Sequence, residues 1–255
     1  MASVRKKITN ILVLAKMFFI PFKHQLPMVV LNGIGIPLAM MIFLSLMTSG
    51  ENAYKVSILV GSLISGIVSL VIGTMSSRIN NFKVGAGLEF FLAEGITRFE
   101  FLAGILIAHL MIFVPANSLV LIVGIKFLLK TSLNWKLILY PILFGLSVFS
   151  LIWAGVVIGF KSRTFADAQS YSSLLQFMLI LLSPVYFSPG NLPQLLRGIS
   201  YTLPTTAMNY SIRFLLARDL ANIEHYTYLA PLLLLVWGAI GVMIVAKHCP
   251  WNIEM

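Results

Sequence analysis

VSILVGSLISGIVSLVIGTM, Val56–Met75, carries no charge and no proline. As an α-helix it is long enough to cross a hydrocarbon core of about 30 Å, and its few hydroxyls can bond the carbonyl one turn back. Five further apolar runs flank it: Met28–Met47, Phe101–Ile125, Leu137–Phe160, Leu174–Phe187 and Tyr228–Ala246. Together they leave no stretch long enough for a soluble catalytic domain. The 255-residue chain therefore reads as a single all-α integral membrane domain, residues 1–255, with six transmembrane helices of which the fifth is short.

Composition points the same way. Hydrophobic residues make up 59% of the chain, charged residues only 10%, and the mean hydropathy is +0.95, which leaves too little polar cover for a water-soluble surface. The net charge of +10 is not a nucleic-acid footprint, because the basic residues sit in the joints between apolar runs. Arg5, Lys6, Lys7, Lys16, Lys23, Arg78, Lys83, Arg98, Lys161, Arg163 and Lys247 fall on one side of an alternating topology. The short joints opposite hold Lys55, Lys126, Lys130 and Lys136. By the positive-inside rule the chain is a multi-pass protein of the cell membrane with both termini cytoplasmic. The first run ends without a small-residue cleavage site, so no removable signal peptide is expected. The lone Cys249 reads as a small apolar residue at a helix end.

Before the first run, residues 5–23 place Ile8, Ile11, Leu12, Ala15, Phe18, Phe19 and Phe22 at helical spacing, with Arg5, Thr9, Lys16 and Lys23 on the other side. That pattern predicts a helix in the inner headgroup layer, broken by Pro21 and Pro27 before the chain enters the membrane. The runs from 28 to 187 hold spans one to five. In the second, Ser62, Gly66, Ser69 and Gly73 line one face, and Gly155 and Gly159 repeat the small-residue spacing in the fourth. Small residues let helix backbones approach closely, either within the chain or at a seam between two copies.

Two joints carry patterns of their own. Between spans two and three, Val84, Leu88, Phe91 and Leu92 share a stripe while Lys83, Glu89 and Glu94 stay polar, predicting a short amphipathic helix over Val84–Glu94 ended by Gly95. Thr97 and Glu100 have capping-box spacing. This joint reads as a rigid arm. Residues 188–227 are too long for a structureless loop, and Pro189, Pro193 and Pro204 punctuate an apolar rhythm of Leu192, Leu195, Leu196, Ile199 and Leu203. A re-entrant pair of short helices dipping into the outer leaflet fits, followed by span six over 228–246.

Sites for covalent chemistry are not evident. The sequence holds no nucleophile elbow and no phosphate loop, and its four histidines, His24, His109, His225 and His248, are scattered. Within the spans Asn32, His109, Asn117 and Gln176 are the main polar residues, and no acid lies near the middle of any span. Each is a candidate for either an interhelical hydrogen bond or a substrate contact.

The arm and the second joint carry a resemblance. Gly87-Leu88-Glu89 through Leu92, then Ile96-Thr97-Arg98-Phe99-Glu100 and Gly104, is similar to the "GTLE…L…PVSR.E…GK" stretch of type-2 ABC exporter permeases. Ser183, Phe187-Ser188-Pro189, Leu192-Pro193, Pro204-Thr205 and Arg213 resemble the same family's "lSgvffPl..LP…nPlt…lR" signature. The family includes multidrug, antibiotic-resistance and polysaccharide-export permeases. Glu94-Gly95 and Ser183-Pro184 depart from its usual Thr-Pro and Ser-Gly.

The resemblance implies a homodimer or heterodimer of permeases around a translocation pathway, with separate ABC ATPase subunits docked beneath. This chain would itself hold no cofactor, ATP and Mg²⁺ belonging to the partner, and would be no enzyme on its own. The arm would be the coupling helix, with Val84, Leu88, Phe91 and Leu92 seated in a groove of the ATPase and Glu89, Glu94 and Arg98 at its charged rim. The hairpin with Pro189, Pro193, Pro204 and Arg213 would gate the outer exit, Arg213, Arg218 and Asp219 forming a solvated or paired rim. The polysaccharide branch's Arg-Tyr-Lys-x-Ser-x-Leu-Gly pattern is missing before the first span, which favours a hydrophobic small molecule, peptide or lipid as cargo. The competing readings are an ATP-independent secondary transporter or channel, a membrane immunity or sensor protein that binds without moving its ligand, and, last, an intramembrane enzyme.

Overall fold

The computed structural model describes residues 2–24, 27, 30–47, 52–85, 87–187, 192–216 and 226–249, and every regular element among them is helical. α1 (Ala2–His24) opens the chain and runs through Pro21, which was expected to break it. Pro21 falls in the last turn of that range, where it deprives only one carbonyl of its partner. A π-turn at Leu31–Gly35 leads into α2 (Ile36–Met47). α3 (Asn52–Val68) continues through a π-turn at Ser69–Gly73 into α4 (Thr74–Val84). After the short α5 (Gly87–Ala93) comes α6 (Arg98–Val123), prolonged by a π-turn at Gly124–Leu129. A 3-10 turn at Trp135–Leu139 starts α7 (Tyr140–Lys161), and α8 (Phe165–Leu182), α9 (Gln194–Thr202), α10 (Pro204–Leu216) and α11 (Tyr226–His248) complete the order.

Four rods are long and apolar enough to cross a membrane: Tyr54–Val84, Arg98–Leu129, Trp135–Lys161 and Tyr226–His248. Gly33–Met47 is apolar but shorter. Of the six expected spans, four thus reach crossing length. α8 falls outside them because its first half is spent on Asp167, Gln169, Ser170, Ser172 and Ser173.

The rod Tyr54–Val84 is the centre of the molecule, with 72% of its apolar stretch buried inside the chain against 28% for the last rod. Leu59, Val60, Leu63, Ile64 and Ile67 are wholly enclosed. It packs on α7 through backbone: a Cβ at Gly159 would lie 2.7 Å from the carbonyl oxygen of Ser76, and one at Gly155 3.0 Å from that of Ile72. The Gly155/Gly159 stripe is therefore packing within the chain. The Ser62/Gly66/Ser69/Gly73 face divides: Ser62 is buried, Gly66 meets Pro37 and Asn117, Gly73 meets Gln176, and Ser69 is exposed.

Side chains tie the helix ends into two groups. At one end Lys83 Nζ donates to the carbonyls of Phe160 (2.7 Å) and Ser162 (3.2 Å), and Asn80 Nδ2 donates to Ser162 (3.0 Å), so α4 caps the last turn of α7. Arg98 does the same for α11, donating to the carbonyls of Val245 (3.0 Å) and Ala246 (3.1 Å). At the other end the start of α3, the start of α7 and the end of α10 meet, through Arg213–Ser57 and the Lys136 ammonium 5.2 Å above the Phe214 ring.

Candidate functional site

α5 is held by its sequence. Gly95 adopts φ +70°, a left-handed conformation that other residues enter only with strain, and closes α5 with two bonds: Gly95 N–H to the Leu92 carbonyl (3.0 Å) and Ile96 N–H to that of Phe91 (3.0 Å). Thr97 then starts α6 as its N-cap. The Glu100 amide donates to Thr97 Oγ1 (3.3 Å) and the Thr97 amide to Glu100 Oε2 (2.8 Å), the reciprocal box the spacing predicts. Glu100 is buried, and its other oxygen accepts from Asn10 Nδ2 (3.1 Å) on α1. The same carboxylate therefore starts α6 and fastens α1 to it.

Four phenylalanines lock the arm from inside. Phe18 of α1, Phe82 of α4, Phe91 of α5 and Phe101 of α6 stand with ring centroids 5.0 to 5.9 Å apart in every pairing. Such tilted and edge-on contacts each add roughly 0.5–1.5 kcal/mol beyond buried area. The apolar stripe thus faces the chain's own core: Phe91 is buried, and Leu88 and Leu92 are half-buried. The expectation that Phe91 sits in a partner's groove is corrected, because the rings of α1, α4 and α6 already fill that role. Val84 belongs to α4 and is separated from α5 by the turn at Gly85, though it is 65% exposed. Arg98, expected at a charged rim, is engaged with the end of α11. What α5 presents outward is Glu89, Phe90, Ala93 and Glu94, with Phe90 60% exposed.

Among the intramembrane polar residues, two act as glue. His109 is buried, with Nε2 3.0 Å from Thr74 Oγ1 of α4 and Nδ1 2.9 Å from its own helix's Ile105 carbonyl. Asn117 is buried and accepts from the Tyr140 hydroxyl of α7. Gln176 is half-buried beside Gly73, close in sequence to the exposed Gln169, Ser170 and Ser173. The Asn32 side chain lies outside the described residues, although its backbone belongs to the first π-turn.

The second joint holds two helices that meet at Leu203. Pro193 precedes α9, and Pro204 is the first residue of α10, where its missing amide costs nothing. Pro189, Arg218 and Asp219 lie outside the described residues. Residues 204–212 of α10 are buried without interruption although four are Thr205, Thr206, Asn209 and Ser211. Partners account for Thr205 and Asn209, while Thr206 Oγ1 and Ser211 Oγ have none among the described residues. Thr205 bonds Ser183, and Asn209 Nδ2 donates to the Pro184 carbonyl (2.6 Å). Arg213 donates to Asn209 Oδ1 (2.8 Å) and Ser57 Oγ (2.8 Å). Arg213 is a paired residue in the packing of α10 on α3. The junction of α9 and α10 is pinned to α11, the Tyr226 hydroxyl donating to the Tyr201 carbonyl (2.6 Å) and Trp237 Nε1 to that of Thr202 (2.7 Å). Sequence reasoning missed the polar interior of α10, whose signal was the run of small hydroxyl and amide residues directly after Pro204.

A bundle of membrane-length helices with a short helix, α5, packed at one end and the buried polar α10 at the other defines a multi-pass membrane protein. The family model for ABC-2 type transporter matches residues 9–216, and the chain belongs to that family. It is a membrane subunit of an ABC-type transport system and part of its translocation pathway. No curated protein matches the chain.

Proposed function

We propose that this chain is the permease of an ATP-driven exporter, working as a pair of permeases with separate ATP-binding subunits that hold ATP and Mg²⁺. The observation that carries the reading is the division of α5 into an inner face, where Phe91 joins the four-ring cluster, and an outer face of Glu89, Phe90, Ala93 and Glu94. An arm anchored this way transmits force instead of absorbing it. The outer face docks on the ATPase from the cytoplasm, the side to which the basic joints assign this end of the bundle. A push on α5 reaches α7 through Lys83 and the Gly159 contact, and α11 through Arg98. Movement of α11 carries the α9–α10 junction through Tyr226 and Trp237, so the re-entrant pair opens and closes the outer exit. The transition is a rigid-body shift between two packed arrangements.

Gln176, Asn32 and the exposed hydroxyls of α8 supply the pathway's polar lining, while His109 and Asn117 hold its walls. The cargo class is a hydrophobic small molecule, peptide or lipid, and six membrane segments with cytoplasmic termini complete the topology. In cells carrying the ATPase, Phe90→Asp and Glu89→Lys are expected to abolish export and leave membrane insertion intact. Unchanged export in both variants, or flux through the purified chain with no ATPase present, overturns the reading in favour of a secondary transporter.

A further inference from the structure

α1 has a second face that the packing leaves unused. Its inner side, Leu14, Ala15 and Phe18, is buried against α6 and the ring cluster, where the helix crosses Gly104 with Leu14 Cβ at 2.6 Å from a Cβ built there. The outward side presents Arg5, Lys6, Thr9 and Lys16, all exposed. Beside them stand Leu12 (59% exposed), Val13 (60%), Met17 (40%) and Ile20 (48%). Residues 2–24 include no acidic residue, and the nearest partner carboxylate identified on α1's inner side, Glu100, is already bonded to Thr97 and Asn10. A cationic row with no ion-pair partner among the described residues, flanked by exposed aliphatics, matches one occupant in a multi-pass protein, a layer of anionic headgroups above acyl chains.

We infer that the Arg5–Lys16 face of α1 is a docking surface selective for acidic phospholipids over zwitterionic ones. The aliphatics enter the acyl boundary and set the depth of the helix; the three cations meet the lipid phosphates and supply the selectivity. Because Phe18 and Asn10 on the opposite side hold α5 and α6, the lipid-bound face is rigidly linked to the arm. The inference uses only α1 and the bilayer.

The test uses the full chain in nanodiscs, carrying Val13→Cys with an environment-sensitive fluorophore on a Cys249→Ala background. Quenching is compared between phosphatidylglycerol and phosphatidylcholine spin-labelled at the same acyl carbon and the same mole fraction. At low salt the acidic lipid is expected to quench at least about twofold more strongly, with the preference fading as salt rises and in Arg5→Gln/Lys6→Gln/Lys16→Gln. Arg5→Lys should retain it. Equal quenching by both lipids, a preference that survives removal of the three charges, or no quenching by either overturns the proposal. Native mass spectrometry of the unsubstituted chain from an equimolar lipid mixture repeats the comparison without any variant: more phosphatidylglycerol than phosphatidylcholine adducts supports the surface, and parity overturns it.

Discussion

Neighbouring phenylalanines with opposite surroundings separate stability from coupling. Phe91 sits within the four-ring cluster, so Phe91→Ala should destabilise the chain by about 3–5 kcal/mol, the range for emptying an aromatic core site, and lower its unfolding temperature in detergent. Phe90→Ala should leave that temperature nearly unchanged, since its ring is exposed. Gly159→Val is a sharper case, because the new Cβ meets the Ser76 carbonyl and backbone cannot step aside. Loss of a monodisperse peak in size-exclusion chromatography is the expected result. Residues whose role is settled by close neighbours in sequence were legible beforehand: Gly95 as the left-handed stop and Thr97 with Glu100 as the box depend on bonds spanning a few positions. The direction of Phe91 was not. An amphipathic stripe announces that an apolar partner exists without naming it, and here the partner is Phe18, contributed by α1 far upstream.

At the level of elements, the arm and α10 are rigid for different reasons. α5 is too short to persist by helix propensity, and depends on the closing bonds at Gly95, the box at Thr97 and the ring cluster. Thr97→Ala should therefore cost about 1 kcal/mol, the usual value of an N-cap, and accelerate amide exchange at the start of α6. α10 instead depends on side-chain hydrogen bonds inside the protein. Arg213→Ala deprives Asn209 Oδ1 and Ser57 Oγ of a donor, and should make the α9–α10 segment cleavable by protease at concentrations that spare the parent chain. The existence of two short helices between the fifth run and the last could be read from Pro193 and Pro204. The burial of a hydroxyl-rich helix could not, since Thr205 and Asn209 look like a wet surface until Ser183 and Pro184 are brought beside them by the fold.

For the whole molecule, the membrane class was plain from the length of the apolar runs, and four of them stand as membrane-length rods. The count was harder because Gly33–Met47 is short and α8 begins with polar residues, so neither length nor composition alone assigns them. Grouping the helix ends supplies what the runs lack: the arm, α1 and the last turns of α7 and α11 share one end, the end that the proposed function places in the cytoplasm. Cysteines introduced at Val84 and at Trp135, both well exposed, should react with a membrane-impermeant maleimide from opposite sides, Val84 only in inverted vesicles.

The most direct measurement places a photo-crosslinking amino acid at position 90 of the full chain in living cells and identifies the product by mass spectrometry. The account predicts a crosslink to an ATP-binding cassette protein, absent when the same amino acid stands at Phe127 near the opposite end. A product containing only lipid, or reaction at position 90 with reagents confined to the outside, contradicts it.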